Sequence, residues 1–467
     1  MPCQERSIMK KPAIGSALLA GISSFAFGSP DLVCSEINGA NSFGSDGMGM
    51  VAYSFGTTIC NIGDAPAPWD ANSNSHPLIS QSIYKLKDHQ ITQIGIGFVR
   101  HTTIPLSGNA CGLGCDPAGS GALGVGCSDT SSSSVNGAQG LMGPRREVNA
   151  LSGEYPYPFT SINLTGDAVY KRTQVLSSDI SDPDALYFVE TQVISPAEST
   201  AQSRNNNVSY RQVTFQPGTL NATLVGPTYD QQPAINAWRD HGNGIGIPDE
   251  DVIIRWRVLT EGDGLVGVGS RPTELGADQW RLDYAVYNMN RDLGVQGLVV
   301  SNTSLSDVLS GSSFHAPLYH DDLDEQTSNA PWDAGEFGWN GWYTDRFVDD
   351  PDANAIRWGT TYSFSMELED IGPEIGTVSV TPFESYNYSF RVQAWKPGQV
   401  CSADLAGNPD GSPDGYLNFL EISAYLLHFG AESPLADFAG NPDGSPDGRF
   451  NFADVAEYLR LFQAGCP

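Results

Sequence analysis

The chain has 467 residues, 40% of them hydrophobic, which is enough for two or three domains with buried cores. Its 54 acidic and 24 basic side chains give a formal net charge of −30. A nucleic-acid backbone or an anionic membrane surface would be repelled overall. Nucleic acid is therefore not an expected partner, and cations are the natural small ligands.

The first 28 residues have the pattern of a signal peptide. Lys10 and Lys11 precede an apolar run over residues 14–27, and small residues follow at a plausible cleavage point. The run is too short to span a bilayer stably, and we find no other stretch that could span one. We therefore predict a bacterial protein that is secreted or held at the cell surface, with no membrane span in the mature chain.

Residues 30–398 are predicted to form strands joined by turn-rich loops. In segments such as DVIIRWRVLT and WRLDYAVYNMN, apolar and polar positions alternate, for example Tyr284 and Val286 against Asp283 and Ala285. Such strands are expected to have one buried face and one wet face, and sheets with one apolar face pair to bury it. We predict a mainly β fold, with one or two antiparallel β-sandwich domains followed by a small α-helical calcium module.

Two interruptions of this pattern suggest domain boundaries. VGPTYDQQP carries two prolines and a polar turn near residue 225, and WKPGQVC, at 395–401, forms a short linker. The predicted division is a signal peptide at 1–28, a β-rich domain with disulfide-stapled Gly/Ser loops at 29–225, a β-sandwich domain at 226–398 and the terminal module at 399–467.

Seven cysteines remain once the signal peptide is removed. An exported chain meets oxidising conditions, so disulfides are the default expectation. Cys401 and Cys466 bracket the terminal repeat and would tie its ends together. The other five are an odd number, and their pairing stays open: Cys34, Cys60, Cys111, Cys115 and Cys127. Alternatively, CGLGC and Cys127 could form a mixed metal site with His76 and His101.

The clearest motif is a duplicated acidic loop, DGSPDGYLNFLE at 410–421 and DGSPDGRFNFAD at 443–454. An EF-type calcium loop needs oxygen ligands at positions 1, 3, 5, 9 and 12, a backbone carbonyl at 7 and glycine at 6. The first copy supplies Asp410, Ser412, Asp414, Tyr416, Asn418 and Glu421, and the second supplies Asp443, Ser445, Asp447, Arg449, Asn451 and Asp454. We predict calcium as the ligand, against the alternative of acidic turns that hold no ion.

One amphipathic helix follows each loop, EISAYLLHF and DVAEYLRLF, and no comparable helix precedes either loop. This duplicated unit, with its CSAD and AGCP ends, resembles a dockerin of planctomycete-type bacteria over residues 401–467. The resemblance implies docking onto a cohesin-like domain of a scaffold or surface protein, with Leu426, Leu427, Tyr458 and Leu459 presented to it. The residues AGNP before each loop depart from the family pattern. They leave open whether Asp404 and Asp437, or Asp410 and Asp443, hold position 1.

The body carries no comparable signal. YAVYNMNRDLGVQ and FHAPLYH resemble a β-rich domain of exported planctomycete-type proteins, which implies export and a β fold but no reaction. No catalytic or nucleotide motif occurs. Weaker candidates are acidic and aromatic groups that have ordinary structural explanations: His315, His320, Asp321, Asp322, Asp324 and Glu325 as a metal cluster, Asp249, Glu250 and Asp251 as another, and the tryptophans of APWD and GWNGWY as sugar platforms.

The leading hypothesis is an exported, non-catalytic structural or adhesive β protein, anchored through the calcium module. The alternative is a carbohydrate-binding or carbohydrate-degrading protein that the same module recruits, with a polysaccharide as partner. An open cleft with two facing carboxylates and flanking tryptophans would favour that alternative. A cell-envelope metal protein is the third hypothesis.

Overall fold

The computed structural model describes residues 28–101, 103–160, 165–258, 263–276, 279–301, 309–320, 326–334, 340–369, 371–384, 388–398, 403–406, 417–441 and 446–464. Strands make up 42% of the structure and helices 13%, and the sheets are antiparallel. The prediction of a mainly β fold with a small helical region at its C-terminal end is confirmed. The predicted signal peptide lies outside the described residues, apart from Gly28.

The first sheet has eleven strands, eight of them in the order β1-β2-β10-β5-β4-β11-β12-β13, with β6, β8 and β9 attached and β3 paired separately with β7. In chain order these strands are β1 (Leu32–Ser45), β2 (Met50–Asn61), β3 (Ala67–Pro68), β4 (Leu78–Lys87), β5 (Gln90–Ile96), β6 (Val99–His101), β7 (Ala122–Leu123), β8 (Ser128–Ser131), β9 (Met142–Gly143), β10 (Thr173–Leu176), β11 (Leu186–Ile194), β12 (Val208–Phe215) and β13 (Ala222–Tyr229).

Two five-stranded sheets follow, ordered β14-β15-β16-β21-β18 and β19-β20-β17-β22-β23. Their strands are β14 (Ile253–Val258), β15 (Leu265–Gly276), β16 (Gln279–Asn288), β17 (Val295–Ser301), β18 (Leu309–His315), β19 (Asp333–Ala334), β20 (Asn340–Tyr343), β21 (Thr360–Glu369), β22 (Pro373–Pro382) and β23 (Phe390–Pro397). The helices are α1 (Ser133–Asn136), α2 (Ala201–Asn205), α3 (Asn236–His241), α4 (Phe419–Gly430) and α5 (Phe452–Ala464), with 3₁₀ turns at Gln139–Leu141, Arg145–Glu147 and Pro434–Ala436.

The central strand of the second sheet, β16, is buried on both faces over most of its length. On β16, Tyr284 and Val286 join a core with the third sheet, whereas Ala285 and Tyr287 join a core with β4, β11 and β12 of the first sheet. We call the latter the shared core. The expectation of one wet face is therefore wrong for β16, where Asp283 and Ala285 are both fully buried. The alternation of apolar and polar residues did not predict burial of this second face, because alanine and an ion-paired aspartate can both be buried.

The first sheet curls so that its end strands, β1 and β13, lie side by side. Side chains of the two facing strands bind the backbone of β1: Ile37 N–H donates to Thr228 Oγ1 of β13 at 3.0 Å, and Arg211 Nη1 of β12 donates to Ile37 O at 2.7 Å. The boundary expected at residue 225 falls inside β13, which extends the first sheet to Tyr229. The chain then enters α3, whose Trp238 is fully buried in the shared core.

Two disulfides, Cys60–Cys111 and Cys115–Cys127, staple the Gly-rich segment, and Cys34 is a buried free thiol. The predicted disulfide-stapled loops are confirmed, and the mixed metal site is wrong. His76 and His101 instead stack on each other with ring centroids 4.1 Å apart. Burial and the neighbouring His101 lower the pKa of His76 to about 4, so this ring is neutral near pH 7. Cys401 and Cys466 lie outside the described residues, and their pairing stays a prediction.

Helices α4 and α5 form a small core of their own. Tyr425 of α4 and Tyr458 of α5 stack with ring centroids 3.9 Å apart and planes 4° apart, and Phe438 packs edge-on against both. Over the described ranges, no helix has both the length and the apolar character needed to cross a membrane.

Candidate calcium site in the C-terminal repeat

Half of the predicted calcium ligands are described. Asn418, Glu421, Asp447, Arg449, Asn451 and Asp454 are placed, whereas Asp410, Ser412, Asp414, Tyr416, Asp443 and Ser445 lie outside the described residues. In the parts of the chain that the structure describes, no three His, Cys, Asp or Glu side chains converge as a metal-binding group.

Both helices begin with the same arrangement. The Asn418 side chain accepts from Leu420 N–H at 3.0 Å, and Glu421 Oε2 accepts from Asn418 N–H. At the start of α5, Asn451 Oδ1 accepts from Ala453 N–H at 2.8 Å, and Asp454 Oδ2 accepts from Asn451 N–H at 2.8 Å. Such reciprocal caps satisfy donors at a helix start and bring a carboxylate there. The predicted ligands at positions 9 and 12 of each loop are thus neighbours in space.

The two acids at position 12 are fully buried, although carboxylates are rarely buried without partners. Asp454 Oδ1 accepts from Phe438 N–H at 2.9 Å and Ala439 N–H at 3.0 Å. Burial alone would raise the pKa of Asp454, but these backbone donors outweigh it and hold the pKa below its usual value. Glu421 Oε1, by contrast, has no hydrogen-bond partner among the described residues. A buried carboxylate oxygen without a donor suits a cation ligand.

Asp437 lies against the second loop. Its Oδ1 accepts from Asp447 N–H at 3.2 Å, and its Oδ2 accepts from Gly448 N–H at 2.7 Å. Gly448 has a φ of +76°, which suits glycine at the sharp turn of position 6. A side chain at Gly440 would collide with the Asp447 carboxyl, so the chain between Asp437 and Asp447 folds back closely on itself. The motif template alone did not identify this contact, because AGNP separates Asp437 from the template.

The helices also expose apolar side chains at equivalent positions. Phe419 is 75% exposed and Phe452 81% exposed, one at the start of each helix. Leu426 and Leu459 occupy matching later positions and are 60% and 50% exposed, and Leu427 is 74% exposed. The expectation that Tyr458 is presented to a partner is wrong: its ring is buried against Tyr425.

The weaker candidates of the body have structural roles where they are described. His315 Nε2 contacts Gln93 O at 3.0 Å, and His320 Nε2 contacts Arg172 O at 2.9 Å. Asp249 is buried and pairs with Arg271 Nε at 2.7 Å. Trp69 and Trp342 are core residues, which argues against their use as sugar platforms. Asp321, Asp322, Asp324, Glu325 and Trp339 lie outside the described residues.

Comparisons with known proteins give no family. No protein-family model matches the chain, and no curated protein matches it. Among solved structures, the B domain of a biofilm associated protein is 9% identical, with a TM-score of 0.16 over 80% of this chain and 85% of that chain. The BSP domain of a biofilm associated protein is 8% identical, with a TM-score of 0.16 over 84% of this chain and 61% of that chain. At these TM-scores neither likeness supports an argument about function.

Proposed function

We propose that the chain is an exported, non-catalytic structural or adhesive β protein, held on a scaffold or cell surface by a calcium-dependent, dockerin-like module at residues 399–467. The observation that carries the proposal is the duplicated helix start, in which a cap and a buried acid recur as Asn418 with Glu421 and as Asn451 with Asp454. Secretion fits the two disulfides. A polysaccharide partner of the whole protein stays a prediction.

In this proposal, calcium would be held by Ser412, Asp414, the Tyr416 carbonyl, Asn418 and Glu421 in the first loop, by Ser445, Asp447, the Arg449 carbonyl, Asn451 and Asp454 in the second, and by one further aspartate at position 1 of each loop. For position 1 of the second loop we favour Asp437 over Asp443, because its carboxylate already accepts from Asp447 and Gly448 N–H. By repeat symmetry, Asp404 would take the same position in the first loop. The bound ion would neutralise carboxylates that otherwise repel each other.

Calorimetric titration of the full chain with calcium tests this assignment. We expect two binding events in the wild type, none in a Glu421→Gln, Asp454→Asn double variant, and one in Asp437→Asn. Asp443→Asn should retain both events, and Glu432→Gln, on an exposed residue at the end of α4, is the matched control. An unchanged titration in the double variant would refute calcium binding by the repeat, and loss of one event in Asp443→Asn alone would return position 1 to Asp443.

Docking is tested on the same protein with isolated cohesin domains as probes. The exposed residues Phe419, Leu427 and Phe452 would form the apolar centre of an interface, and calcium would order the loops beside them. We expect capture that a chelator abolishes and that Leu427→Asp weakens at least tenfold. Capture that survives both changes would contradict docking through this surface.

A further inference from the structure

Two acids and two amides form a closed group where the first strand begins. Asp31 and Leu32 are adjacent at the start of β1, and Asn206 and Asn207 are adjacent between α2 and β12. Leu32 N–H donates to Glu198 Oε1 at 2.8 Å, and Asn207 Nδ2 donates to Glu198 Oε2 at 3.0 Å. Asn206 Nδ2 donates to Asp31 Oδ2 at 3.2 Å, which closes the circuit. We call this group the acid–amide ring: Asp31, Glu198, Asn206 and Asn207.

Three oxygens of the acid–amide ring are shielded from water and have no hydrogen-bond partner among the described residues. They are Asp31 Oδ1, Asn206 Oδ1 and Asn207 Oδ1. Turning either amide by 180° would not satisfy its oxygen, because the oxygen would then face a carboxylate oxygen in place of the Nδ2 donor. Buried acceptors without partners are costly, so three in one group indicate a partner that the fold itself does not supply.

Both carboxyl groups of the acid–amide ring are poorly hydrated. Burial, to which the charge of Asp31 adds, raises the pKa of Glu198 well above its usual value, and burial also raises the pKa of Asp31. Arg204 acts on Glu198 from nearby, but its Nε donates to the Glu198 backbone oxygen at 2.8 Å and not to the carboxylate. Within the described residues, neither carboxylate forms an ion pair. A bound cation would allow both acids to remain ionised.

The acid–amide ring has the chemistry of a site for a hard divalent cation. Its free atoms are all oxygens, since both amide nitrogens already bind carboxylates. Calcium takes about six to eight oxygens, amide carbonyls among them, in a flexible geometry, whereas magnesium needs a near-octahedral site and keeps several waters. An enclosed group of this composition therefore suits calcium better. Because two of its four side chains are amides, it is compatible with the absence of three converging His, Cys, Asp or Glu side chains in the described ranges.

We propose that the acid–amide ring holds one calcium ion. The three unpartnered oxygens would be direct ligands, and Glu198 would supply the second negative charge. The ion would tie the start of β1 to the segment that leads into β12. Because Glu198 is 1% exposed and Asn207 is 3% exposed, the ion would enter as the chain folds and be retained afterwards. It is therefore separate from the two binding events expected of the terminal repeat.

Metal analysis of the full chain tests the proposal in a background variant whose terminal loops are disabled, Glu421→Gln with Asp454→Asn. The protein is purified from a calcium-containing medium, dialysed against a chelator without denaturant and assayed for calcium. We expect one calcium ion per chain in the background variant. Adding Asp31→Asn should remove it, because Glu198 is then the only acid of the ring. Asp184→Asn, on a side chain that is 85% exposed and outside the ring, is the matched control and should retain the ion.

Refolding gives a second measurement that does not depend on slow release of the ion. The background variant is unfolded in urea without reductant and refolded either with calcium or with a chelator. The chain refolded with a chelator should unfold at a temperature about 5 °C or more below that of the chain refolded with calcium. Asn206→Ala, which removes one of the three oxygens, should abolish this difference, and it carries the test if Asp31→Asn does not fold.

Two results would overturn the proposal. If the background variant retained no calcium and refolded to the same stability with calcium and with a chelator, water and not a cation would satisfy the three oxygens. If folded Asp31→Asn or Asn206→Ala retained as much calcium as the control, the ion would lie elsewhere. Failure of the terminal repeat to bind calcium would change neither measurement, because both are made where the repeat cannot bind it.

Discussion

At the scale of single residues, Glu190 of β11 carries a carboxyl group that is enclosed between the first sheet and the second sheet. It is 2% exposed, and its Oε2 accepts from Ala234 N–H at 2.7 Å. Its Oε1 accepts from Tyr287 Oη at 3.3 Å and from Tyr84 Oη at 3.4 Å. Burial outweighs these hydrogen bonds and raises the pKa of Glu190 from 4.5 to about 7.

This pKa makes stability depend on pH. The folded chain keeps the Glu190 proton to a higher pH than the unfolded chain, so stability falls as the pH rises from about 4.5 to about 7 and stays lower above it. The shift corresponds to about 3 kcal/mol. Glu190→Gln cannot ionise and keeps the shape of the side chain, so this component of the pH dependence should disappear. Urea unfolding at pH 5 and pH 8 measures this component. If the free energy of unfolding declined equally in the variant and the wild type between these pH values, the pH dependence would not come from Glu190.

At the scale of elements, the segment 107–127 shows how covalent links replace regular structure. It contains only the two-residue strand β7, and Cys115–Cys127 closes a loop with a sequence separation of 12. A cross-link that closes a loop of this length lowers the conformational entropy of the unfolded chain, which stabilises the folded state by about 3 kcal/mol. The order of this segment therefore depends on cross-links more than on hydrogen-bonded strands.

Replacing both Cys115 and Cys127 with alanine should lower the free energy of unfolding by about 3 kcal/mol under non-reducing conditions. Cys34→Ala is the matched control, because it removes a buried sulfur but no covalent link. Urea unfolding of the wild type, the double variant and Cys34→Ala measures these differences in the free energy of unfolding. If the double variant lost no more stability than the control, the disulfide would not be what orders the segment.

Strand identity was the most predictable property at this scale. Runs such as LYFVETQVI are rich in β-branched and aromatic residues, which favour strands, and this run forms β11 over Leu186–Ile194. The pairing of five cysteines was not predictable, because spacing does not encode distance in space. The candidate site was likewise predictable only in part. The calcium-loop template identified Glu421 and Asp454. It did not predict the contact of Asp437 with Asp447, because that contact forms only when the chain between the two residues folds back on itself.

At the scale of the whole molecule, the shared core joins the first and second sheets. Trp238 is fully buried in it, and its Nε1 donates to His89 O at 2.7 Å. A side chain at Gly269 of β15 would lie 3.0 Å from the Trp238 ring, so this glycine lets the ring approach the second sheet. Because residues of both sheets contact one ring, we expect the two halves to be stabilised together.

Trp238→Ala should cost about 3–5 kcal/mol, as large-to-small changes of a buried aromatic do. Hydrogen exchange should rise both in β4 and β11 of the first sheet and in β15 and β16 of the second. Ile375→Ala, on a side chain that is 55% exposed, should change neither. Faster exchange confined to one sheet would show that the halves are stabilised independently.

The position of β23 also determines how the body would respond to a mechanical load. A pull on the C-terminal helices reaches Pro397 first, at the open end of the β22–β23 hairpin, where it pairs with Pro373. The ladder would then open pair by pair from that end instead of shearing as a unit. Trp395, two residues inward, is held by Ser270 Oγ at 2.9 Å and by Asp251 O at 2.8 Å. These two hydrogen bonds would bear the tension early, and the rate at which they break would set how long the edge strand resists detachment.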